Sequence, residues 1–362
     1  MTIAFDPERW QTVKKNAQAW WDGTLGRPLI QVRLYDRPPG RAEPKLAHPP
    51  WKETFYDLSV TPEEIVDRWD YDLSCREFLG DSFPWVFPDL GPGVLAAFMG
   101  ARTQQATGTV WFHPNEDREA KDIRFSMDLN NAWLRRVKDI CRAAQARWEG
   151  LVQISMTDLG GNLDVLSTFR PNEKLLLDLV DCPEEVKRLT GEEHAIWWKA
   201  FEAIDAVLRP CNPGYTAWAP IFSETPFYML QCDFCYMIGP KMFDEFVKPE
   251  LEATCQKLDH AFYHLDGVGE LPHLDSLLSI DALKGVQWVP GAGNPQFKDW
   301  SEVYRKIIRA GKRAQVGLHC DWREFDRLVD KAGGAENMIM ICEASSAERP
   351  EVEAFLKRYG AL

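Results

Sequence analysis

The sequence predicts an α/β fold: a (β/α)8 TIM barrel with an N-terminal helical and aromatic-rich elaboration over the barrel mouth. Short apolar runs alternate with amphipathic segments of helical period, helix starts carry capping residues, and polar residues follow several of the apolar runs. The carboxyl ends of parallel barrel strands meet on one face, where barrel enzymes hold their active sites. We expect a single domain over residues 1–362, with 1–140 as the elaboration and 141–362 as the main barrel portion.

Eight apolar runs have the composition typical of strands. They are residues 28–34, 108–113, 151–156, 215–220, 261–266, 286–290, 314–319 and 338–342. Because helical segments alternate with these runs, the pattern predicts a parallel sheet with helical crossovers. No repeat or low-complexity linker marks a domain boundary.

Helix starts are marked by an acidic or polar residue followed by proline, at Asp6-Pro7, Thr61-Pro62 and Cys182-Pro183. The second start also has Glu64 at the position that completes a capping box. The segment 37–102 is rich in proline and aromatic residues. It is compatible with an elaboration over the barrel mouth and with a loop packed on the outside.

Composition narrows the class of ligand. A hydrophobic fraction of 45% and 15 tryptophans can supply a large core, while a formal charge of -13 argues against nucleic-acid and anionic membrane surfaces. No apolar run reaches the roughly eighteen residues of a spanning helix, and the N-terminus lacks a basic and apolar leader, so we expect a cytoplasmic protein. The nine cysteines are an odd number in apolar or helical contexts, and we expect most to be reduced and buried. A homo-oligomer is left open.

Polar residues cluster where the predicted strands end. The run 261–266 carries His264 and Asp266, which point the same way from an extended strand because side chains alternate between faces. The full set at or just past strand ends is Asp158, His264, Asp266, Gln287, Trp288, His319, Cys342 and Glu343. A single strand-end aspartate is more often a helix N-cap than a catalyst, so the set carries more weight than any member.

Four motifs place the chain near a known superfamily. They are Thr157-Asp158-Leu159-Gly160-Gly161-Asn162-Leu163-Asp164, Leu176-Leu177-Asp178-Leu179 with Cys182-Pro183-Glu184-Glu185-Val186, Gly239-Pro240-Lys241-Met242-Phe243-Asp244-Glu245-Phe246-Val247, and Tyr263 to Gly267 with Gln287-Trp288-Val289-Pro290-Gly291-Ala292-Gly293. From about Trp20 to the C-terminus the sequence resembles the uroporphyrinogen decarboxylase (URO-D) superfamily. That barrel serves porphyrinogen decarboxylases, corrinoid-dependent methyltransferases and the catalytic half of cobalamin-independent methionine synthase.

The resemblance is closer to the methyltransferase branch than to true uroporphyrinogen decarboxylases. Those enzymes carry an arginine-rich N-terminal stretch that binds the substrate's carboxylates, and this chain offers only Arg27 to Leu34, with two arginines. A substrate with many carboxylates needs several cations around it. We therefore expect a URO-D-like methyltransferase or demethylase and not a porphyrinogen decarboxylase.

The methyltransferase branch implies a zinc site written His-x-Cys with a distant cysteine. His264 matches the histidine, Cys342 matches the distant cysteine, and Asp266 stands in place of the first cysteine. Zinc accepts carboxylate oxygen, so these three residues form a reasonable site with an open position. The carboxylate makes the metal a harder Lewis acid, which favours an oxygen-bearing or amine substrate over a soft thiol.

The resemblance also implies a corrinoid. No Asp-x-His-x-x-Gly motif of a corrinoid-binding domain occurs in the chain, so a partner protein is expected to supply the corrinoid. In this interpretation Asp158 orients substrate or acts as acid or base. Substrate contacts are assigned to Gln287, Trp288, His319 and Glu343.

Other interpretations of the same residues stay open. His264 and Asp266 also suit an acid/base pair without metal, as in a metal-independent lyase or decarboxylase on the same barrel. Asp158 with Gly160 and Gly161 suits a capped tight turn as well as a ligand site. A non-catalytic small-molecule binding protein is a third class, because fold resemblance does not fix function. The pair Cys232 and Cys235 has redox or zinc spacing, yet a structural role is the better interpretation.

Overall fold

A computed structural model describes residues 2–50, 52, 54–291, 293–294, 300–316 and 321–362. Over these residues the chain is a mixed α/β fold built around a central, mostly parallel sheet of seven strands. The strands are β1 Leu29–Leu34, β2 Glu77–Gly80, β3 Trp85–Val86, β4 Arg102–Ala106, β5 Thr109–His113, β6 Gln153–Ile154, β7 Phe227–Gln231, β8 His260–Asp266, β9 Gly285–Val289, β10 Arg313–Val316 and β11 Met338–Ala344.

The central sheet has the order β2-β1-β11-β10-β9-β8-β7, in which only β2 at one edge is antiparallel to its neighbour. The first strand of the chain thus pairs with the last, as it does in a sheet that curls round. Segment 1–140 supplies β1 and therefore contributes to the central sheet as well as to the elaboration.

The remaining strands form two small sheets. β3 and β6 pair in parallel, and β4 and β5 form an antiparallel hairpin. A backbone hydrogen bond from Asp81 N–H to the Ile30 carbonyl at 2.8 Å extends the β1–β2 pairing, and one from Met156 N–H to the Thr216 carbonyl at 3.0 Å joins the residues after β6 to the irregular segment 215–220. Among the described residues the strands therefore form three separate sheets, and their hydrogen bonds do not close into a barrel.

Thirteen α-helices accompany the strands in the described part of the chain. They are α1 Arg9–Trp21, α2 Pro62–Ser74, α3 Leu95–Phe98, α4 Ala132–Trp148, α5 Asn162–Phe169, α6 Asn172–Asp181, α7 Pro183–Leu208, α8 Pro240–Phe246, α9 Lys248–Cys255, α10 Leu274–Leu278, α11 Ser301–Arg309, α12 Phe325–Ala332 and α13 Arg349–Arg358. Among the described residues, no helix has the length and apolar character needed to cross a bilayer.

The predicted helix starts are confirmed. Thr61 caps α2 in a capping box: its hydroxyl accepts the Glu64 N–H at 3.2 Å, and its own N–H donates to the Glu64 carboxylate at 2.8 Å. α7 begins at Pro183, directly after Cys182, and α1 begins at Arg9, three residues after Asp6. Capping groups and proline thus mark these helix starts in the sequence itself.

Strand alternation separates two cores. An inner cluster packs between the strands, and a larger outer cluster packs between strands and helices. The inner cluster comprises Trp20, Leu29, Ala217, Ala219, Ile221, Phe227, Met229, Phe262, Ile339 and Ile341. On β8 the inward set includes Phe262, so His264 and Asp266, two and four residues further on, lie on the inner face.

One strand prediction is wrong, and another, 108–113, is a strand that lies in the antiparallel β4–β5 hairpin and not in the predicted parallel sheet. Residues 215–220 are irregular apart from a bridge in which Tyr215 N–H donates to the Ser223 carbonyl at 2.7 Å, and the strand is Phe227–Gln231. Ala217 and Ala219 do alternate into the inner cluster, but Pro220 has no N–H to give a ladder. β7 is buried at every position and therefore lacks the period-two pattern that marks a half-buried strand. The prediction for 314–319 holds over β10 and then leaves the described residues.

Candidate active site

Three neighbouring side chains form a cluster of metal-binding type at the carboxyl ends of β7 and β8. His264 and Asp266 come from β8, and Asp233 comes from the 3₁₀ turn Asp233–Met237 directly after β7. One ligand atom from each lies within 4.8 Å of the other two. Two carboxylates and an imidazole converging at this spacing are the donor set of a three-ligand zinc site.

The His264 ring is oriented by a chain of glutamines. Its Nδ1 hydrogen-bonds the side-chain oxygen Oε1 of Gln287, and the side-chain Nε2 of Gln287 donates to Gln315 Oε1 at 2.9 Å. Because Gln287 presents its oxygen, Nδ1 carries the hydrogen, and Nε2 is the nitrogen that a neutral ring would offer to a metal. A metal-ligating histidine is commonly held this way through its other nitrogen.

One carboxylate oxygen of Asp266 accepts no hydrogen bond from the described residues. This oxygen, Oδ1, is buried. Gly267 turns the chain away with φ +88°, and Gly291 lies so close that a Cβ there would sit 2.8 Å from the Gly267 Cα. A buried carboxylate oxygen without a partner is costly, and a cation would satisfy it.

Asp233 completes the cluster from the solvent side. Its backbone N–H and that of Phe234 donate to the Asp164 carboxylate at 2.9 and 2.7 Å, which fixes the turn. Neighbouring protein atoms raise the pKa of the Asp233 carboxyl although the residue is exposed, a positively charged His264 ring would oppose the rise, and the Asp266 carboxylate adds to it. The three groups are therefore coupled, and a metal ion would relieve the repulsion between the two carboxylates.

Asp158 lies near this cluster in a buried loop after β6. Its Oδ1 accepts the Gly160 N–H at 2.8 Å and the Gln231 amide at 3.5 Å. Burial raises the pKa of Asp158 from 3.8 to about 7, and the Asp89 carboxylate adds to the rise. Such a group can exchange a proton near neutral pH, which suits general acid/base work. Gly160 also fits a tight loop, since its φ is +66° and a Cβ there would lie 2.6 Å from the Gly93 Cα.

Asp158→Asn is expected to stabilise the protein more at high pH than at low pH. With a folded pKa of about 7 against an ordinary value of 3.8, the carboxyl's contribution is present at low pH and is lost as the pH rises through the folded pKa. The asparagine oxygen keeps the Gly160 hydrogen bond without the charge. We compare the free energy of unfolding of the variant with that of wild type in urea. The variant's advantage should grow by about 3 kcal/mol from about pH 5 to about pH 8. A difference in unfolding free energy that is the same at both pH values would contradict the raised pKa of Asp158.

A cleft of about 560 Å³ opens beside the cluster, and Asp233 lines it. Its other walls include Asp164 and Gln231, with Trp111 and His113 from the β4–β5 hairpin. The hairpin belongs to the N-terminal segment, so part of the predicted elaboration borders the cleft.

The structure does not bring Cys342 and Trp288 to the cluster. Cys342 is buried in the outer cluster with Met338 and Met340, on the face of β11 opposite to Ile339 and Ile341. As a ligand beside His264 it is therefore a wrong prediction, because a strand residue cannot face both sides.

Trp288 is fully buried in the outer cluster, 5.2 Å from the Trp300 ring, so its predicted place in the pocket is also wrong. Its neighbour Gln287 does reach His264, since the two residues point to opposite faces of β9.

The Glu343 carboxylate forms ion pairs with the guanidinium groups of Arg33 at 2.9 Å and Arg76 at 2.5 Å. Its role in substrate contact stays a prediction. The predicted contact of His319 lies outside the described residues. Asp233 was missed because β7 was not predicted as a strand; once that strand is known, an aspartate two residues past its end is a clear signal.

The fold and site together define an α/β protein with a polar cluster at the carboxyl ends of parallel strands. It is similar to a methyltransferase from Methanosarcina mazei, with a TM-score of 0.64 and 13% identity over 96% of this chain and 99% of that one. At that identity the likeness shows a shared fold. A structure of macrophomate synthase matches at a TM-score of 0.25 and 15% identity, over 63% of this chain and 73% of the other, which is too weak to support an argument. No protein-family model and no curated protein matches the sequence.

Proposed function

We propose that the protein is a methyltransferase or demethylase that moves a methyl group between a small molecule and a corrinoid on a partner protein. Asp233, His264 and Asp266 are proposed to hold a zinc ion for this reaction. The observation that carries the proposal is the convergence of their ligand atoms within 4.8 Å at the carboxyl ends of β7 and β8.

We also propose that the fold is a (β/α)8 barrel of the URO-D superfamily. Two features support this: β1 pairs with β11, so the first strand of the chain lies beside the last, and the inner cluster fills the space between strands. The sequence motifs that resemble the superfamily point the same way. A cluster at strand carboxyl ends is where such barrels perform chemistry.

The donor set fits zinc. The partnerless Asp266 Oδ1 and the lone pair on His264 Nε2 both offer electron pairs that no described protein group uses. Zinc bound there would act as a Lewis acid with an open coordination position. With Asp233 as third ligand in place of Cys342 the site has only oxygen and nitrogen donors, so a substrate with oxygen or nitrogen at the methyl group suits it better than a thiol.

The chain's own residues orient and shield the reaction. Gln287 and Gln315 hold the His264 ring, Asp164 fixes the turn that carries Asp233, and the cleft admits a small molecule. In demethylation, the bond from methyl carbon to the donor heteroatom would break and the heteroatom would keep its electron pair, and an uncharged donor would also take up a proton from water. The corrinoid of the partner would supply, as cobalt(I), the electron pair that accepts the methyl group.

The test is methyl transfer to free cobalt(I) cobalamin, followed by the change in its visible spectrum, with methylated amines and methyl ethers as donors. We expect turnover by the zinc-loaded protein, loss of turnover after chelation, and recovery when zinc is added back. Turnover that survives complete metal removal would overturn the zinc mechanism. Absence of methyl transfer from every donor class would overturn the proposed reaction.

A second candidate function is a metal-independent lyase or decarboxylase, favoured by one observation. The carboxyl of Asp158 is buried beside the site and has a pKa of about 7, which matches a general acid or base at neutral pH. This function predicts activity that follows the titration of Asp158, survives chelators and does not respond to corrinoid.

A further inference from the structure

The walls of the cleft beside the metal-type cluster have a distinctive chemistry. Three lining residues are acidic, namely Asp164, Glu173 and Asp233, and Trp111 and Phe234 supply aromatic surface. None of the described lining residues is a lysine or an arginine. His113 is the only described lining residue that can carry a positive charge. The cleft is thus aromatic-walled and acidic, and the exposed Glu173 is the lining carboxylate that neither burial nor the proposed metal would neutralise.

This wall disfavours anionic ligands. A phosphate or a polycarboxylate needs charge-assisted hydrogen bonds from cations, and the described walls provide neither lysine nor arginine. An anion in the cleft would also be repelled by the Glu173 carboxylate. The net charge of -13 adds to this repulsion at long range.

The same wall suits an organic cation. The Trp111 side chain is 57% exposed although it is a large aromatic, and it stands at the cleft on strand β5. An indole face attracts an ammonium group through its quadrupole, and aromatic rings combined with carboxylates are the usual means of recognising quaternary ammonium ligands. Trp111 and the exposed Glu173 define what we call the outer wall of the cleft.

We propose that the cleft binds a methylated ammonium cation, and that this cation is the methyl donor. The inference rests on the proposed function, since Asp233 belongs both to the cleft lining and to the metal-type cluster. An ammonium nitrogen has no lone pair for zinc, so the cation would be held by the cleft wall beside the metal and not as a ligand of it. In the transfer the carbon–nitrogen bond breaks and nitrogen keeps the electron pair, leaving an uncharged amine. The carbon–cobalt bond forms with the electron pair of cobalt(I), and no proton is required.

The test is calorimetric binding of choline to the zinc-loaded full chain, compared with dimethylbutanol, the uncharged isostere in which carbon replaces the ammonium nitrogen. The two molecules have the same shape, so their affinity ratio isolates the charge. We expect choline to bind about tenfold more tightly. Trp111→Leu and Glu173→Gln should each bring the ratio most of the way to one. Both side chains are exposed, so neither variant is expected to disturb folding.

Glu202→Gln is the matched control, because Glu202 is an exposed glutamate on α7 that does not line the cleft. It should leave the ratio unchanged. Equal affinity for choline and dimethylbutanol, or no binding of either, overturns the cation site. Methyl transfer from an uncharged donor alone would overturn it too, while leaving the proposed methyltransferase standing. Charge-selective choline binding without methyl transfer from any methylated ammonium would keep the site and remove the proposed function.

Discussion

His264→Ala is expected to remove the bound metal and, with it, methyl transfer. The variant deletes the only nitrogen donor of the cluster and leaves Asp233 and Asp266 facing each other without a compensating group. Loss of residues that merely orient zinc ligands costs ten- to a hundredfold in affinity, so loss of a ligand should lower zinc affinity by about a hundredfold or more. Turnover at fixed low zinc should fall by a similar factor.

His48→Ala serves as the control, since His48 is an exposed histidine paired with Asp72 at 2.7 Å. It should bind zinc and turn over as wild type does. Measurement of zinc affinity by competition with a chromophoric chelator separates metal loss from loss of chemistry. If His264→Ala kept wild-type zinc affinity, the cluster would not be the metal site.

Asp178→Ala is expected to destabilise the fold by about 3 kcal/mol. Asp178 and Arg170 form a buried ion pair, with side chains 8% and 6% exposed. The guanidinium donates to both carboxylate oxygens, one of them at 3.0 Å through Nη2. Removing the carboxylate leaves the buried Arg170 side chain with the exposed Glu119, at 3.1 Å, as its remaining ion-pair partner among the described residues. Uncompensated buried charge is the costly case.

Asp139→Ala is the matched control because Asp139 pairs with Arg142 at 2.7 Å while both side chains are about half exposed, at 51% and 55%. Exposed pairs of this kind contribute about 0.5 kcal/mol. Urea unfolding should show a lower midpoint for Asp178→Ala with an unchanged slope. A loss within 1 kcal/mol of the control would mean that the Arg170 charge is solvated in the folded protein.

Asp178 also shows that a residue in a family-like motif can have a structural role. The segment Leu176-Leu177-Asp178-Leu179 is one basis for the resemblance to the URO-D superfamily, and its aspartate is the buried ion-pair partner of Arg170. Resemblance motifs thus mix residues that hold the fold with residues that face the site. Only the packing of α6 against the preceding arginine tells the two apart.

Much of the fold was predictable because its signals are local. The capping box at Thr61, the proline that begins α7 at Pro183 and the alternation of β8 are set by neighbouring residues in the chain. β7 was not predictable from periodicity, since it is buried on both faces. The pairing of β1 with β11 joins residues about three hundred positions apart, and no local pattern encodes such a contact.

Two of the three residues of the site were predictable, because their signal is also local in the sequence. His264 and Asp266 share a face because they are two residues apart on one strand, which the sequence states directly. The third member depends on which strands are neighbours, so resemblance selected Cys342 where the geometry brings Asp233. The side on which Cys342 and Trp288 lie follows from strand register, and that is fixed only when the sheet has formed.

The central claim is that Asp233, His264 and Asp266 hold the metal, and zinc content tests it most directly. Protein purified without chelators should be measured beside Asp233→Ala, Asp266→Ala and Cys342→Ala, each checked for folding by circular dichroism. We expect one zinc per chain in wild type and in Cys342→Ala, and its loss in the two aspartate variants. Zinc that persists in Asp233→Ala but is lost in Cys342→Ala, or wild-type protein that takes up no zinc when supplied with it, would contradict the account.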